Sequence, residues 1–384
     1  MAAPMSSSSP VPVEPNEFDA RISKVGGIVF VAFLVVGFVS CAWLLLSGKV
    51  EMLPPKLTVD DVLHGAVTHG IAKQLSKGAV PEQAANLERG ASWLALHDTG
   101  PRVRTGCPGW LFLTDEMRIN RHAQANADTK SGVVRDIQQR LASRGITLLV
   151  AVVPDKSRIA SAQLCGMRRP AQLQDRAQAW VDSLNKAGVA AIDLAPALQP
   201  LGAEAYLRTD THWSEAGAAS AANTVAKRVQ SMGINATPQK AFEVKVQDPT
   251  RRPGDLVRLA GLDWLPVAWQ PTPESVATTL ISEKAVDASG GDDNLDDLFG
   301  DTHLPNVALV GTSFSRNSNF AGFLQQALGA PIGNFGKDGG EFSGGANGYF
   351  NNPAFKQTPP KLVIWEIPER DLQTPYSEVI DWAR

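Results

Sequence analysis

The sequence is poor in the features that would assign it to a specialised class. It holds only three cysteines in 384 residues, and its 36 Lys and Arg nearly balance 39 Asp and Glu, for a formal net charge of −3. Without a basic excess it lacks the footprint of nucleic-acid binders, so no nucleic-acid partner is expected. There is no internal repeat and no G-x-S-x-G elbow. His64 and His69 lie five apart, whereas helical zinc pairs use four, so both read as surface residues. Asp292, Asp293, Asp296 and Asp297 form an acidic cluster, but it lacks the glycine and distal glutamate of a calcium-binding loop. No metal and no cofactor are expected. What remains, at 43% hydrophobic and 20% charged, is an ordinary globular composition with length for one large domain or two modest ones.

Against that background one long apolar run stands out. Val25 to Leu46 carries no charge, which is enough chain to span a bilayer. A cleaved signal peptide has a shorter apolar region and a small-residue cleavage site directly after it, so the run reads as an uncleaved anchor. Arg21 and Lys24 before it are matched by Lys49 and Lys56 after it, so flanking charge alone leaves the orientation nearly tied. The short Pro/Ser-rich head and the long tail favour export of the tail. Residues 1–24 are then a cytoplasmic head, 25–46 the anchor, 47–104 a linker with lead-in helices, and 105–384 the main domain. Cys41 lies in the anchor. Cys107 and Cys165 are the two cysteines of the exported part, in the turn-like contexts GCPG and CGM, and are expected to form a disulfide; the alternative is two unrelated buried thiols.

The main domain alternates strands and helices. Gly109 to Asp115, Ile146 to Lys156, Val189 to Leu194, Asn306 to Ser315 and Lys361 to Arg370 read as strands. Several are continuous apolar runs of the kind buried parallel strands show. Lys130 to Arg144, Gln172 to Ala187, Glu215 to Met232 and Phe320 to Leu328 read as helices, with Ser214 placed to cap the third. The fold class is therefore α/β with a mostly parallel sheet. Between Asn235 and Pro305 the periodicity is lost, and this stretch reads as a long irregular insertion, either functional or mobile.

Ligands of open parallel sheets bind beyond the carboxyl ends of the strands. Three polar clusters follow apolar runs. In VALVGTSFS a buried strand delivers Ser313 to a turn, where it is either a nucleophile or an ordinary helix cap. In YLRTDTHWS, Asp210 and His212 lie two apart on an extended segment, so the carboxylate can orient the imidazole that a serine nucleophile needs. In the glycine-rich GKDGGEFSGGANGYF, Gly340 gives close backbone approach and Asn347 offers an amide to an oxyanion; a plain surface loop is the rival. Asp301, Thr302 and His303 repeat the D-T-H spelling but lack the Trp-Ser and helix behind it, and rank below Asp210 and His212.

Taken in order, C-P-G-W-L-F-L, V-P-D-K-S-R, Y-L-R-T-D-T-H-W-S, G-D-L, L-V-G-T-S-F-S and I-W-E-I-P-E-R resemble the alginate O-acetyltransferase family of AlgJ/AlgX-type proteins, from about Cys107 to Arg384. The resemblance implies an SGNH-hydrolase-like sandwich in which the Asp-His pair precedes the serine, a permuted order. It implies Ser313 as nucleophile, His212 as general base and acid, and Asp210 as orienting carboxylate. The oxyanion would rest on the Ser313 N–H and Asn347, with Gly340, Tyr206 and Trp213 toward the substrate. It further implies a single-pass protein of the bacterial inner membrane, with its catalytic domain in the periplasm. The acceptor would be an exopolysaccharide, the acetyl supplier a multi-pass membrane O-acyltransferase, and further partners other exopolysaccharide secretion proteins. No stretch resembles the carbohydrate-binding module of AlgX. A carbohydrate acetylesterase with the same triad is the nearest rival, and a non-catalytic scaffold is the rival from another class.

Overall fold

The computed structural model describes residues 24–47, 58–76, 78–284, 304–376 and 379–380. The chain divides into two compact units, Met1–Leu87 and Glu88–Arg384. In the first, Lys24–Leu46 is a 23-residue helix with no buried residue, and it is the one described helix long and apolar enough to cross a membrane. Two short helices follow, Val59–Leu63 and Ala66–Leu75, the first closed by a capping box between Thr58 and Asp61.

The second unit opens with an antiparallel pair, β1 (Val103–Thr105) and β2 (Leu111–Leu113), and is built on a five-stranded, wholly parallel sheet. Its strands are β3 (Thr147–Val153), β4 (Ala190–Asp193), β9 (Val307–Gly311), β10 (Gly333–Gly336) and β11 (Leu362–Pro368), in the spatial order β10-β9-β11-β3-β4. Alternation along β3 sorts its side chains to two cores. Leu149, Ala151 and Val153 face the helices Glu215–Ser231 and Phe320–Leu328. Leu148, Val150 and Val152 face Ala123–Ala142 and Arg176–Lys186. Both faces are covered, which is why β3, β9 and β11 read as predominantly apolar runs. The Ala-rich helix buries Ala218, Ala221, Ala222, Val225 and Val229 at helical spacing, and the Ser214 hydroxyl accepts the Gly217 N–H at 3.1 Å, as its sequence position predicted.

Two expectations change. The glycine-rich stretch, residues 336–350, is turn only in its first half. Gly333–Gly336 forms the edge strand β10, and Gly344–Phe350 is a helix that buries Tyr349 and Phe350. A strand spelled GNFG has too little apolar surface to announce itself. The insertion is not irregular over its described part. It forms two antiparallel pairs, β5 (Phe242–Val246) with β8 (Thr279–Glu283) and β6 (Thr250–Arg252) with β7 (Glu274–Val276), around a short helix, Asp255–Leu259. Strand β5 alternates apolar and polar residues as FEVKV, but over five residues only, and its side chains stay largely exposed. The acidic cluster and the Asp301-Thr302-His303 triplet lie outside the described residues. Cys107 and Cys165 are disulfide-bonded, closing a separation of 58 residues.

Candidate active site

Strands β9, β11 and β3 are neighbours, and their carboxyl ends deliver the polar residues that follow them to one edge. Beyond β9, Thr312 enters the turn that presents Ser313. Its N–H donates to Glu366 Oε2 at 2.7 Å, and its hydroxyl and that of Ser315 donate to the same carboxylate at 3.0 Å each. Glu366 sits inside β11 and is 1% exposed, so a buried carboxylate anchors the serine turn. Burial pushes this carboxyl above the usual range, against the hydrogen bonds from Thr312 and Ser315. Gly311 is required here, because a Cβ would lie 2.4 Å from Glu366 Oε2.

Asp210 and His212 arrive from the segment between Tyr206 and Trp213, which are joined by an antiparallel bridge. His212 Nε2 lies 2.7 Å from Ser313 Oγ, and His212 Nδ1 lies 2.6 Å from Asp210 Oδ1. An ionised carboxylate only accepts, so Nδ1 carries the proton and Nε2 accepts from the serine hydroxyl. The His212 main-chain N–H also donates to Asp210 Oδ1, at 2.9 Å. Burial pushes the Asp210 carboxyl up, but the His212 hydrogen bonds and charge, with Arg252, outweigh it and hold it well below the usual range. Both side chains are nearly closed to solvent, while Phe314 packs its ring edge-on against His212 at 5.0 Å.

Further residues hold this arrangement. The N–H of Asp255 donates to Asp210 Oδ2 at 3.3 Å, and its carboxylate accepts the Thr211 N–H at 2.7 Å and hydroxyl at 2.5 Å. Asp255 Oδ2 stands 3.7 Å from His212 Nδ1, and Arg252 lies 3.6 Å from Asp210 Oδ2. The described part of the insertion thus supplies a second carboxylate and a guanidinium to the Asp-His pair. Gly254 makes the approach possible, since a Cβ there would meet the Thr209 carbonyl oxygen at 1.8 Å. Lys156, 1% exposed, donates to the carbonyls of Leu111 at 2.6 Å, Arg208 at 2.8 Å and Asp210 at 2.9 Å. Burial pulls its ammonium down to about 8, opposed by Glu116, Glu274, Asp210 and Asp255. Nearby, Asp155 and Glu369 are bound by Arg169 and Arg176 in a buried cluster that ties the ends of β3 and β11 together.

A cavity of about 350 Å³ opens beside Ser313, lined also by Thr312, Gly340, Glu341, Arg370 and Asp371, with Asp115, Arg118 and Asn120. Gly340 thus stands where the sequence reading put it. Three other sequence candidates are elsewhere. Asn347 directs its amide to the Val379 carbonyl at 3.4 Å and does not line the cavity, because the glycine-rich segment coils into a helix. Tyr206 is 3% exposed and donates its hydroxyl to the Pro154 carbonyl. Trp213 is fully buried between Phe314 and Phe320. Both aromatic residues are buried, and they pair across the Asp-His segment through an antiparallel bridge.

Sequence reading missed Asp255, Arg252, Lys156, Glu366, Arg370 and Asp371. The available clue was a charge set in or directly after an apolar run, as in VPDK and IWEIPER, since a buried charge needs a partner. Asp210, His212 and Asp255 also place their ligating atoms within 4.8 Å of one another. Within the trio, His212 Nδ1 is hydrogen-bonded to Asp210 and the Asp255 carboxylate to Thr211.

Comparison with known proteins places the chain in a family. The family model described as SGNH hydrolase-like domain, acetyltransferase AlgX, matches residues 103–369. The probable alginate O-acetylase AlgJ of Pseudomonas aeruginosa is 33% identical over 321 residues, covering 81% of each chain. That of Pseudomonas putida is 36% identical over 283 residues, 71% of this chain and 70% of the relative. Among solved structures, the O-acetyltransferase domain of Pseudomonas putida AlgJ superposes with a TM-score of 0.60 at 29% identity, over 72% of this chain and 94% of that one. Pseudomonas aeruginosa AlgX gives 0.54 at 25% identity, over 69% and 62%. The chain belongs to the AlgX acetyltransferase family and is an acetyltransferase on an SGNH hydrolase-like α/β domain.

Proposed function

We propose that this enzyme transfers acetyl groups to sugar hydroxyls of an alginate-type exopolysaccharide on the periplasmic side of the inner membrane, through an acetyl-Ser313 intermediate. The carrying observation is the hydrogen-bonded chain Ser313 Oγ, His212 Nε2, His212 Nδ1, Asp210 Oδ1, at 2.7 and 2.6 Å. His212 takes the serine proton as Oγ attacks the acetyl carbonyl and returns it to the leaving oxygen. It then removes the proton of the incoming sugar hydroxyl, while Asp210 keeps the imidazole in its working tautomer. The alginate O-acetylase names of the relatives support the acceptor class. The apolar helix Lys24–Leu46 supports a single-pass anchor. A multi-pass membrane O-acyltransferase fits as acetyl supplier, and other exopolysaccharide secretion proteins as partners.

The test is single-turnover acetylation of the full chain in detergent micelles by a chromogenic acetyl ester, beside Ser313→Ala and His212→Ala. Wild type should release one equivalent of chromophore in a burst, and both variants should lose it. Equal bursts from all three would sink the serine mechanism. Adding a mannuronate oligosaccharide separates transfer from hydrolysis, because the product carries the acetyl group only if the sugar outcompetes water.

A further inference from the structure

We propose that the Arg370 guanidinium holds the oxyanion formed during acetyl transfer. The inference rests on the acetyl-Ser313 reading above. As the Ser313 Oγ–C bond forms, the hydroxyl proton passes to His212 and the carbonyl electron pair moves onto oxygen. When the pair returns, the bond to the leaving oxygen breaks and that oxygen takes the proton from His212. Such an oxyanion is stabilised by donors fixed in advance, in a site withdrawn from water.

Main-chain donors near the serine are scarce. Among the described residues the Ser313 N–H has no acceptor, so it is available. The Thr312 N–H is engaged by Glu366, the Phe314 N–H by Thr312 Oγ1 at 3.3 Å, and the Gly340 N–H by the Lys337 carbonyl at 3.0 Å. The Asn347 amide is turned to Val379. Arg370 is a further source, and it brings a charge that the main-chain donors lack. It lines the same cavity as Thr312 and Ser313, and its Cζ sits 5.3 Å from the ring centroid of Phe314, the residue after the nucleophile. Among the described residues its guanidinium makes no hydrogen bond, which leaves a rigid fork of N–H donors without an acceptor. Burial works against its charge, but Asp371, Glu116, Asp155 and Glu366 outweigh burial and keep the group cationic. Arg118 also lines the cavity, but its side chain is 70% exposed and pairs with Asp115 at 3.9 Å, so water screens it. Arg370 therefore offers what an oxyanion site requires: a cation held in place, half-buried, with free donors.

The test uses the full chain in micelles and the acetylation burst from 4-nitrophenyl acetate. Arg370→Met should slow acetyl-enzyme formation by about 10²–10³-fold, the usual loss for one oxyanion donor, with the loss in kcat rather than KM. Added guanidinium ion should restore part of the rate to Arg370→Ala. A burst at the wild-type rate in Arg370→Met would overturn the assignment. So would a defect confined to KM for an anionic sugar acceptor, which would make Arg370 an acceptor-binding residue. If Arg370→Met does not fold, Arg370→Gln decides: a folded glutamine variant, which has no charge, acylating at the wild-type rate overturns the proposal. Ser313→Ala separates the two readings. If it still acylates, the serine mechanism falls; if it is dead while Arg370→Met is normal, only the role of Arg370 falls.

Discussion

Replacing Lys156 by Met keeps side-chain length and removes one charge and three donors, so it isolates the role of the buried ammonium. Three charge-assisted hydrogen bonds, to the carbonyls of Leu111, Arg208 and Asp210, are lost. Bonds of this kind contribute about 1.5–3 kcal/mol each. Removing the ammonium also relieves its desolvation. Burial holds the ammonium down from 10.5 to about 8, so its removal offsets part of that loss. The Arg208 carbonyl keeps a second donor in the Leu111 N–H at 2.9 Å, so it is not orphaned. The net expectation is a loss of about 3 kcal/mol, within the range seen when one partner of a buried polar set is removed. Urea unfolding followed by tryptophan fluorescence is a direct assay, because Trp110 lies against the ammonium, 5.2 Å from ring centroid to Nζ. The acetylation burst should slow in the same variant, since the Asp210 main chain loses its brace. A loss of stability below about 1 kcal/mol with an unchanged burst would refute the reasoning.

Two further outcomes are expected. Burial pushes the Asp371 carboxyl up to about 6, opposed by Arg370 and Lys130. A raised carboxyl stabilises the fold while protonated, so this contribution is complete below about pH 3.8 and lost as pH rises through about 6. By linkage it amounts to roughly 3 kcal/mol. Asp371→Asn should flatten that part of the stability–pH curve, and urea midpoints at pH 4 and pH 7 that shift alike in both proteins would exclude the effect. Cys107 and Cys165 close a 58-residue separation, so Cys107→Ser with Cys165→Ser should lower stability by up to about 4 kcal/mol through loop entropy. Thermal melts with and without reductant check this, and identical melts for wild type and the double variant would refute it.

Much of the fold was legible because its signals are local. The runs that became β3, β9 and β11 are predominantly apolar, as strands covered on both faces must be, with Glu366 the one charge among them. The helix Glu215–Ser231 carries its own cap in Ser214. Strand β10 was hidden because GNFG borrows its stability from its pairing with β9, not from its own side chains. The described insertion was hidden for a similar reason: its short strands are exposed and earn their order by pairing.

At the site, the Ser313 turn and the Asp-His pair were legible as candidates in the sequence alone, since each lies within a few residues of chain beside a strand or a helix start. Which side chains meet was decided by the tertiary structure. His212 and Ser313 are 101 residues apart, and their contact depends on the sheet order that sets β9 beside β11 and β3. The same order brings Glu366 under the serine turn, Arg370 to the cavity and Lys156 under Asp210, while the insertion folds back to deliver Arg252 and Asp255. It also turns Asn347 away and buries Tyr206 and Trp213. Residue type and local spacing are written along the chain, but burial and hydrogen-bond partners are properties of segments meeting across the sheet, and no short stretch of sequence contains them.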